Sequence, residues 1–347
     1  MTESFHAKKL LRELAQLGKR ISPLLILTHD YPDPDSLASA WILAFLAQGV
    51  AKIRCRIAYG GVISRKENRL MAERLNLPAR PLRPGEIAAA EHVALVDTQP
   101  HFRNNRFPPR RRPQIIIDHH PRHAETAADL VLIDETAGAT TTILAEALLL
   151  SGLKASRRLA TAIVYGSGSE TQNLGREATI RDLSVYQAFW PRANVKTLWR
   201  IAYPRRPTNY FADLARGLRR AFECRGVVVS HLGPLAGPEH VAQIADFLLT
   251  CEKSRWVLVT GRHQGRLYIS LRTDDPVGEA GRLLKRILGP NGRGGGHSMI
   301  AGGTVAVGED AHELQWREAE ERLAAAFLES QGLKDAPLAH SFLDDAR

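Results

Sequence analysis

The chain is 347 residues long, 44% hydrophobic and 24% charged. That is enough for two cores at roughly 150 residues per domain, and it excludes a disordered, collagen-like or disulfide-knotted chain. Cys55, Cys224 and Cys251 show no paired spacing, so reduced thiols are expected and a cysteine framework is not. Lys and Arg number 47 against 37 Asp and Glu, a net charge of +10, which favours a polyanionic partner such as nucleic acid, nucleotide or phosphate ester.

The N-terminal stretch MTESFHAKKLLRELAQLGKR is polar, basic and helical in period, without the apolar core of a signal peptide. With no apolar run of about 18 residues anywhere, a soluble, cytoplasmic protein is expected. Leu24 to Leu27, after Pro23, reads as a buried strand, followed by a polar turn and a helix from Leu37 to Gln48. Lys52 to Ala58 reads as a strand and Arg65 to Leu75 as an amphipathic helix. Val93 to Val96 and Ile115 to Ile117 are two more buried strands, ending in Asp97 and Asp118, and Thr140 to Leu150 and Arg157 to Tyr165 read as helices. Buried strands alternating with helices predict a parallel sheet with helices on both faces.

Residues 176 to 222 read as mostly helical, broken at Pro191, Pro204 and Pro207. Alternation then restarts with a strand at Val227 to Val229, a helix at Pro238 to Cys251, and paired strands (Trp256 to Gly261, Arg266 to Arg272) around His263-Gln264-Gly265. A helix at Gly278 to Leu288, a glycine-rich loop at 292 to 296, a strand at Thr304 to Val307 and a helix at His312 to Ser330 complete a smaller α/β domain. The predicted boundaries are 1–185 for the first domain, 186–222 for a helical linker, 223–330 for the second domain and 331–347 for a tail.

The segment His29-Asp30-Tyr31-Pro32-Asp33-Pro34-Asp35-Ser36 follows a predicted strand, where open α/β sheets place their ligands. The two prolines favour extended backbone, in which His29, Asp33 and Asp35 share a parity and project to one side. Asp35 or Ser36 suffices to cap the following helix, which leaves His29 and Asp33 unexplained. Asp97, and Asp118 with His119 and His120, end two further strands at the same rim. Such a set is rich enough for two divalent ions with a bridging carboxylate, and its mixed oxygen and imidazole donors suit Mn2+ first, with Mg2+, Co2+ or Zn2+ after it. Adjacent histidines at a strand end do not both face one ion, so His120 is expected to face substrate. Asp118 either orients a neighbouring histidine or caps a turn. In the second domain, Gly294, Gly295 and Gly296 let backbone N–H groups approach an anion, beside Arg293 and His297. His92, His101, His123, His231, His240 and His263 have no partner in sequence and read as surface or structural residues; Arg110 to Arg112 read as a solvated loop.

The combination His29-x-x-x-Asp33-x-Asp35, the isolated Asp97 and Asp118-His119-His120 closely resembles the DHH phosphoesterase family. Residues 292 to 303, GRGGGHSMIAGG, resemble the signature of its associated DHHA1 substrate domain. The resemblance implies that His29 and Asp33 hold one ion, that Asp35 and His119 hold the other, and that Asp97 bridges them. The family's further Asp-Thr motif has Glu170-Thr171 as its counterpart, so Glu170 replaces the usual Asp ligand, and Tyr31 stands where the family commonly has Asn. The resemblance implies that His120 binds phosphate or assists catalysis and that Arg272 matches a strand-borne, phosphate-binding arginine. The implied activity is hydrolysis of short single-stranded RNA or of adenosine 3′,5′-bisphosphate by a hydroxide activated between two metals, with Asp97 and His120 as the catalytic residues. Cyclic-dinucleotide hydrolysis and a non-catalytic metal-dependent nucleotide sensor are the competing readings; no membrane partner is expected and a homodimer is left open.

Overall fold

Apolar runs of four or five residues, too short for helices and bounded by polar turns, become strands in the first half of the chain. A computed structural model describes residues 5–63, 65–102, 104–175, 178–275, 277–289, 292–296 and 298–334. They form two compact units that divide between Pro204 and Arg205.

The first unit runs α1 (Phe5–Leu17), β1 (Leu24–Leu27), α2 (Pro34–Ala51), β2 (Cys55–Tyr59), α3 (Lys66–Leu75), β3 (Ala79–Pro81), α4 (Glu86–Ala89) and β4 (His92–Val96). It continues through β5 (Ile115–Asp118), β6 (Leu130–Ile133), α5 (Thr140–Leu150), α6 (Arg157–Glu170), α7 (Ile180–Phe189) and α8 (Val195–Ala202). The sheet order is β3-β2-β1-β4-β5-β6 and every pairing is parallel. Chain direction along the sheet reverses between β1 and β4, so the carboxyl ends of these two strands flank the crevice where such sheets bind ligands. Leu24, Ile26, Ala94, Val96, Ile115 and Ile117 pack one face against helix residues such as Leu10, Leu43, Leu144 and Ile163. Leu25, Leu27, Val93, Leu95 and Ile116 fill the other face against Phe107 and Ile87. Each fully buried Leu or Ile contributes about 1.5–3 kcal/mol.

Helix α2 begins at Pro34, three residues before the predicted start, because proline suits the first helical position and Asp33 supplies the cap: Ser36 N donates to Asp33 Oδ1 (2.9 Å). The cap is therefore Asp33, and neither Asp35 nor Ser36 is needed for it. Helix α6 runs five residues past Tyr165 to Glu170. Strand β6, a four-residue edge strand, has no counterpart among the predicted elements.

The second unit contains α9 (Thr208–Arg220), β7 (Phe222–Cys224), β8 (Val227–Pro234), α10 (Glu239–Leu249), β9 (Trp256–His263) and β10 (Arg266–Thr273). After these come α11 (Ala280–Leu288), β11 (Gly292–Gly296), β12 (Ile300–Ala306) and α12 (Glu313–Ser330). Its sheet is ordered β11-β12-β10-β9-β8-β7, antiparallel throughout except for β8 with β9. Helices α11 and α12 supply Leu284 and Phe327 to one face, and α10 supplies Ile244 to the other. The β9–β10 turn places Gln264 at φ 45° and Gly265 at φ 67°, the left-handed pair of a two-residue hairpin.

The glycine-rich segment corrects the sequence reading: it is a strand, β11, paired in register with β12, rather than a loop. Glycine has no strand propensity, so its pattern reads as a turn. Here the missing side chains let a helix come close. A Cβ on Gly281 of α11 would sit 2.3 Å from the Gly296 carbonyl oxygen.

Asp134 ties α1 and α7 to the end of β6, accepting from His6 Nδ1 (2.6 Å), Arg181 Nη1 (2.7 Å) and Thr136 Oγ1 (2.6 Å). Burial alone would raise its pKa, but these hydrogen bonds and the Arg181 charge hold it down, to about 2. A depressed carboxylate contributes stability above its unfolded value of about 4 and loses it as pH falls towards the folded value. Urea unfolding of the full chain should therefore show Asp134→Asn destabilised by about 2 kcal/mol at pH 6, with the gap from wild type closing by pH 2. A gap that stays constant between pH 6 and pH 2 would contradict the assignment.

Candidate metal centre

Three strand ends deliver the polar groups to one rim of the first sheet. His29 follows β1, and its Nδ1 lies 2.9 Å from the Asp30 carbonyl oxygen, an N–H donation that leaves Nε2 directed elsewhere. That Nε2 is 3.5 Å from Asp33 Oδ2 and 3.6 Å from Asp97 Oδ2. Asp33 thus divides its oxygens, one capping α2 and the other facing the rim. Asp97, 2% exposed at the end of β4, adopts φ 60°, the left-handed region that Asp tolerates better than most residues. Its Oδ1 accepts from Thr140 Oγ1 (2.8 Å) and lies 3.7 Å from His119 Nε2 and 3.8 Å from His120 Nδ1.

The two imidazoles beyond β5 are held differently. His119 Nδ1 approaches the Ala137 carbonyl (3.3 Å), and its buried Nε2 has no hydrogen-bond partner among the described residues. His120 Nδ1 is bound instead to Asp118 Oδ1 (2.8 Å), which also accepts from the backbone N–H groups of His119 and His120. Asp118 therefore both orients a histidine and shapes the turn. Phe102 packs edge-on to His120, with ring centroids 6.1 Å apart.

Ligand atoms of His29, Asp33 and Asp97 lie within 4.8 Å of one another, as do those of Asp97, His119 and His120, so Asp97 belongs to both groups. Asp35, 1% exposed, is engaged differently: Thr140 N donates to its Oδ2 (2.9 Å), and Thr141 N to its Oδ1 (2.7 Å). It caps the N-terminus of α5, whose own N-cap residue, Ala139, makes no side-chain bond. Glu170, at the last turn of α6, lies near enough for its charge to act on Asp35 and His120.

The electrostatics ask for a cation. Burial, and then the charges of Asp97, Glu170 and Asp33, push the Asp35 carboxyl well above the usual range. Burial and Asp33 also raise Asp97, against the opposing pull of His120, His119 and His29. For His29, burial works to lower the pKa, but the Asp33 carboxylate and then Asp97 raise it to about 10; Asp33 is lowered in return. Burial likewise disfavours charged His120, yet its bond to Asp118 and the Asp97 charge raise it to about 9. In His29 and His119, Nδ1 faces a backbone carbonyl and Nε2 faces the carboxylates, as metal-ligating histidines are arranged. The residues present thus fit a divalent metal, with mixed nitrogen and oxygen donors and one orphaned buried nitrogen.

A cavity of about 490 Å3 adjoins the rim, lined by His119, His120, Pro121, Glu135, Thr136, Ala137, Gly138 and Thr179. That is room for a small ligand. The other sequence candidates lie in the second unit. Arg272 of β10 is buried, bound through Nε to Asp246 and through Nη1 to the Ala301 carbonyl (3.1 Å). Arg293 is exposed on β11, which also carries Gly294, Gly295 and Gly296; His297 lies outside the described residues. Thr140 and Thr141 went unread in the sequence. Their signal is a run of three threonines opening a helix that has no cap of its own.

Residues 23–167 match the model of the DHH family N-terminal domain, and residues 225–325 match that of the DHHA1 domain. The chain belongs to the DHH/DHHA1 family. It is 30% identical over 322 residues to the uncharacterized protein MJ1633 of Methanocaldococcus jannaschii, covering 90% of this chain and 65% of that relative's length. Its fold is similar to that of an exopolyphosphatase-related protein from Bacteroides fragilis (13% identity, TM-score 0.66, 94% of this chain and 97% of that one). It is also similar to RecJ in complex with Mn2+ from Thermus thermophilus (17% identity, TM-score 0.51, 95% of this chain and 55% of that one). Among the described residues no helix is long and apolar enough to cross a membrane.

Ligating histidines must be neutral, whereas His29, raised to about 10, carries a proton at neutral pH without metal, so metal binding should release it. Titration calorimetry with Mn2+ in buffers of differing ionisation enthalpy should give about one proton released per chain, with affinity rising from pH 6 to pH 8. An affinity independent of pH across that range would count against His29 as a ligand.

Proposed function

We propose that the chain is a metal-dependent phosphoester hydrolase acting on short oligonucleotides or nucleotides, of the short-RNA and adenosine 3′,5′-bisphosphate type. The observation that carries the proposal is the pair of donor groups, His29–Asp33–Asp97 and Asp97–His119–His120, that share Asp97. His29 and Asp33 would hold one divalent ion, Mn2+ in the first place, and His119, with Asp35 and Glu170, a second. Among the described residues Asp35 Oδ2 accepts one hydrogen bond, from Thr140 N, and so keeps a lone pair for this. When bound, the ions supply Lewis acidity and lower the pKa of a water for in-line attack on phosphorus.

The chain's own groups do the rest. Asp97, fixed by the Thr140 hydroxyl, holds the two donor groups in one geometry. His120, anchored at Nδ1 by Asp118, presents Nε2 as a proton donor to the leaving oxygen or as a positive charge beside the phosphoryl oxygens. The cavity beside His119 and His120 would receive the substrate phosphate and its neighbouring sugar. Arg272, Arg293, the β11 glycines and His297 of the DHHA1 unit are proposed as nucleotide-binding residues. The net charge of +10 and the likeness in fold to the exonuclease RecJ support a polyanionic substrate.

The test is incubation of the Mn2+-loaded protein with a 5′-phosphorylated RNA dinucleotide, following release of nucleoside monophosphate. Release is expected, reduced at least about 100-fold in Asp97→Asn and about 100-fold or more in kcat for His120→Ala. No release, with metal occupancy confirmed, would overturn the oligoribonuclease reading. Adenosine 3′,5′-bisphosphate and cyclic dinucleotides are the next substrates, and silence on all of them would leave a nucleotide-binding protein.

A further inference from the structure

We propose that His101, His123 and Glu125 form a separate metal site for a borderline divalent cation, Zn2+ in the first place. The proposal is independent of hydrolysis at the Asp97 centre. In sequence His101 and His123 have no partners; the fold brings them together from two segments beyond β4 and β5. Their imidazoles stack with centroids 4.6 Å apart and planes inclined by 12°. His101 Nε2 lies 3.4 Å from Glu125 Oε2, and one ligand atom from each residue falls within 4.8 Å of the other two.

His101 turns Nε2 towards Glu125, while its buried Nδ1 has no hydrogen-bond partner among the described residues.

The backbone under the donors is held from one buried side chain. Gln99 Oε1 accepts from His123 N (2.9 Å) and from Thr126 Oγ1 (2.8 Å), while Asn105 Nδ2 donates to the Gln99 carbonyl (2.9 Å). His123 Nδ1 accepts from Glu125 N (3.2 Å), a bond that has to open for His123 to offer a lone pair to the ion. Two imidazoles, one carboxylate and solvent at an open position make the donor set of a tetrahedral zinc site. Bond lengths near 2.0–2.1 Å require the donors to close to about 3.3 Å. Rotation of the exposed Glu125 and opening of the ring stack provide that movement. An ion there would clamp the two segments beside Asp118, to which Gln99 Nε2 also donates (2.8 Å).

The site is tested on the full chain by titrating Zn2+ against a chromophoric chelator, and by following the visible absorption of Co2+ as a substitute. His101→Ala combined with His123→Ala should bind one equivalent of Zn2+ less than wild type and lose the intense band of four-coordinate Co2+. Glu125 is 72% exposed, so Glu125→Gln keeps the fold. It should weaken the same equivalent by about tenfold or more, the low end for altering a metal site. Unchanged far-UV circular dichroism and unchanged Mn2+ binding would confine the effect to this cluster. Equal zinc stoichiometry in wild type and the double variant would overturn the proposal. Should the double variant misfold, wild-type zinc affinity in Glu125→Gln would overturn it instead.

Discussion

The buried Asp35 carboxylate joins two helices whose contact residues are 105 and 106 positions apart in sequence. Its oxygens accept the first N–H groups of α5, which no side chain of that helix caps, while its own backbone lies in the first turn of α2. The position of Asp97 at the rim depends on this joint. It places Thr140 so that its hydroxyl reaches Asp97, and it sets a negative charge at the positive end of a helix dipole. The dipole and the neighbouring histidines offset only part of the cost of burying acidic groups together, which leaves negative charge that a cation would balance.

The same economy of residues recurs around the centre. Asp33 caps α2 with one oxygen and faces His29 with the other. Asp118 shapes the turn after β5 with two backbone bonds while it anchors His120 and accepts from Gln99. A residue that serves both the backbone and the site is held rigidly, so the donor positions are preorganised by the packing of the sheet and helices beneath them. The doubly wound strand order supplies the crevice, because β1 and β4 lie side by side while their following segments depart in opposite directions.

In the second unit the glycines serve packing. They keep β11 free of side chains where α11 approaches, and they leave its backbone accessible along an edge of the sheet. Arg272 is committed to Asp246 and to the Ala301 carbonyl, so it also braces strand β10 against α10 and β12. Both features give these residues a structural duty in the second unit.

Much of the first sheet was legible in the sequence because a buried parallel strand is a continuous apolar run, and β1, β4 and β5 are such runs ending in polar residues. The helix starts at Thr140 and Arg157 were legible for the same reason of period. The motifs His29–Asp35, Asp97 and Asp118–His120 were legible as candidates, since their residue types suit a metal wherever they fold, and the fold gathers them at one rim. Four things were not. The cap at Asp33 looked like an extended turn because one carboxylate was assigned a single duty. Strand β11 looked like a loop because glycine carries no pattern. The threonines at the start of α5 needed an acceptor that lies more than a hundred residues away. The pairing of His101 with His123 depends on Gln99 holding two segments together. Sequence alone determined which residues could bind metal and which strands carry them, since both are properties of residue type and local period. Only the tertiary structure decided which oxygen and which nitrogen face one another, because that depends on contacts between segments distant in the chain.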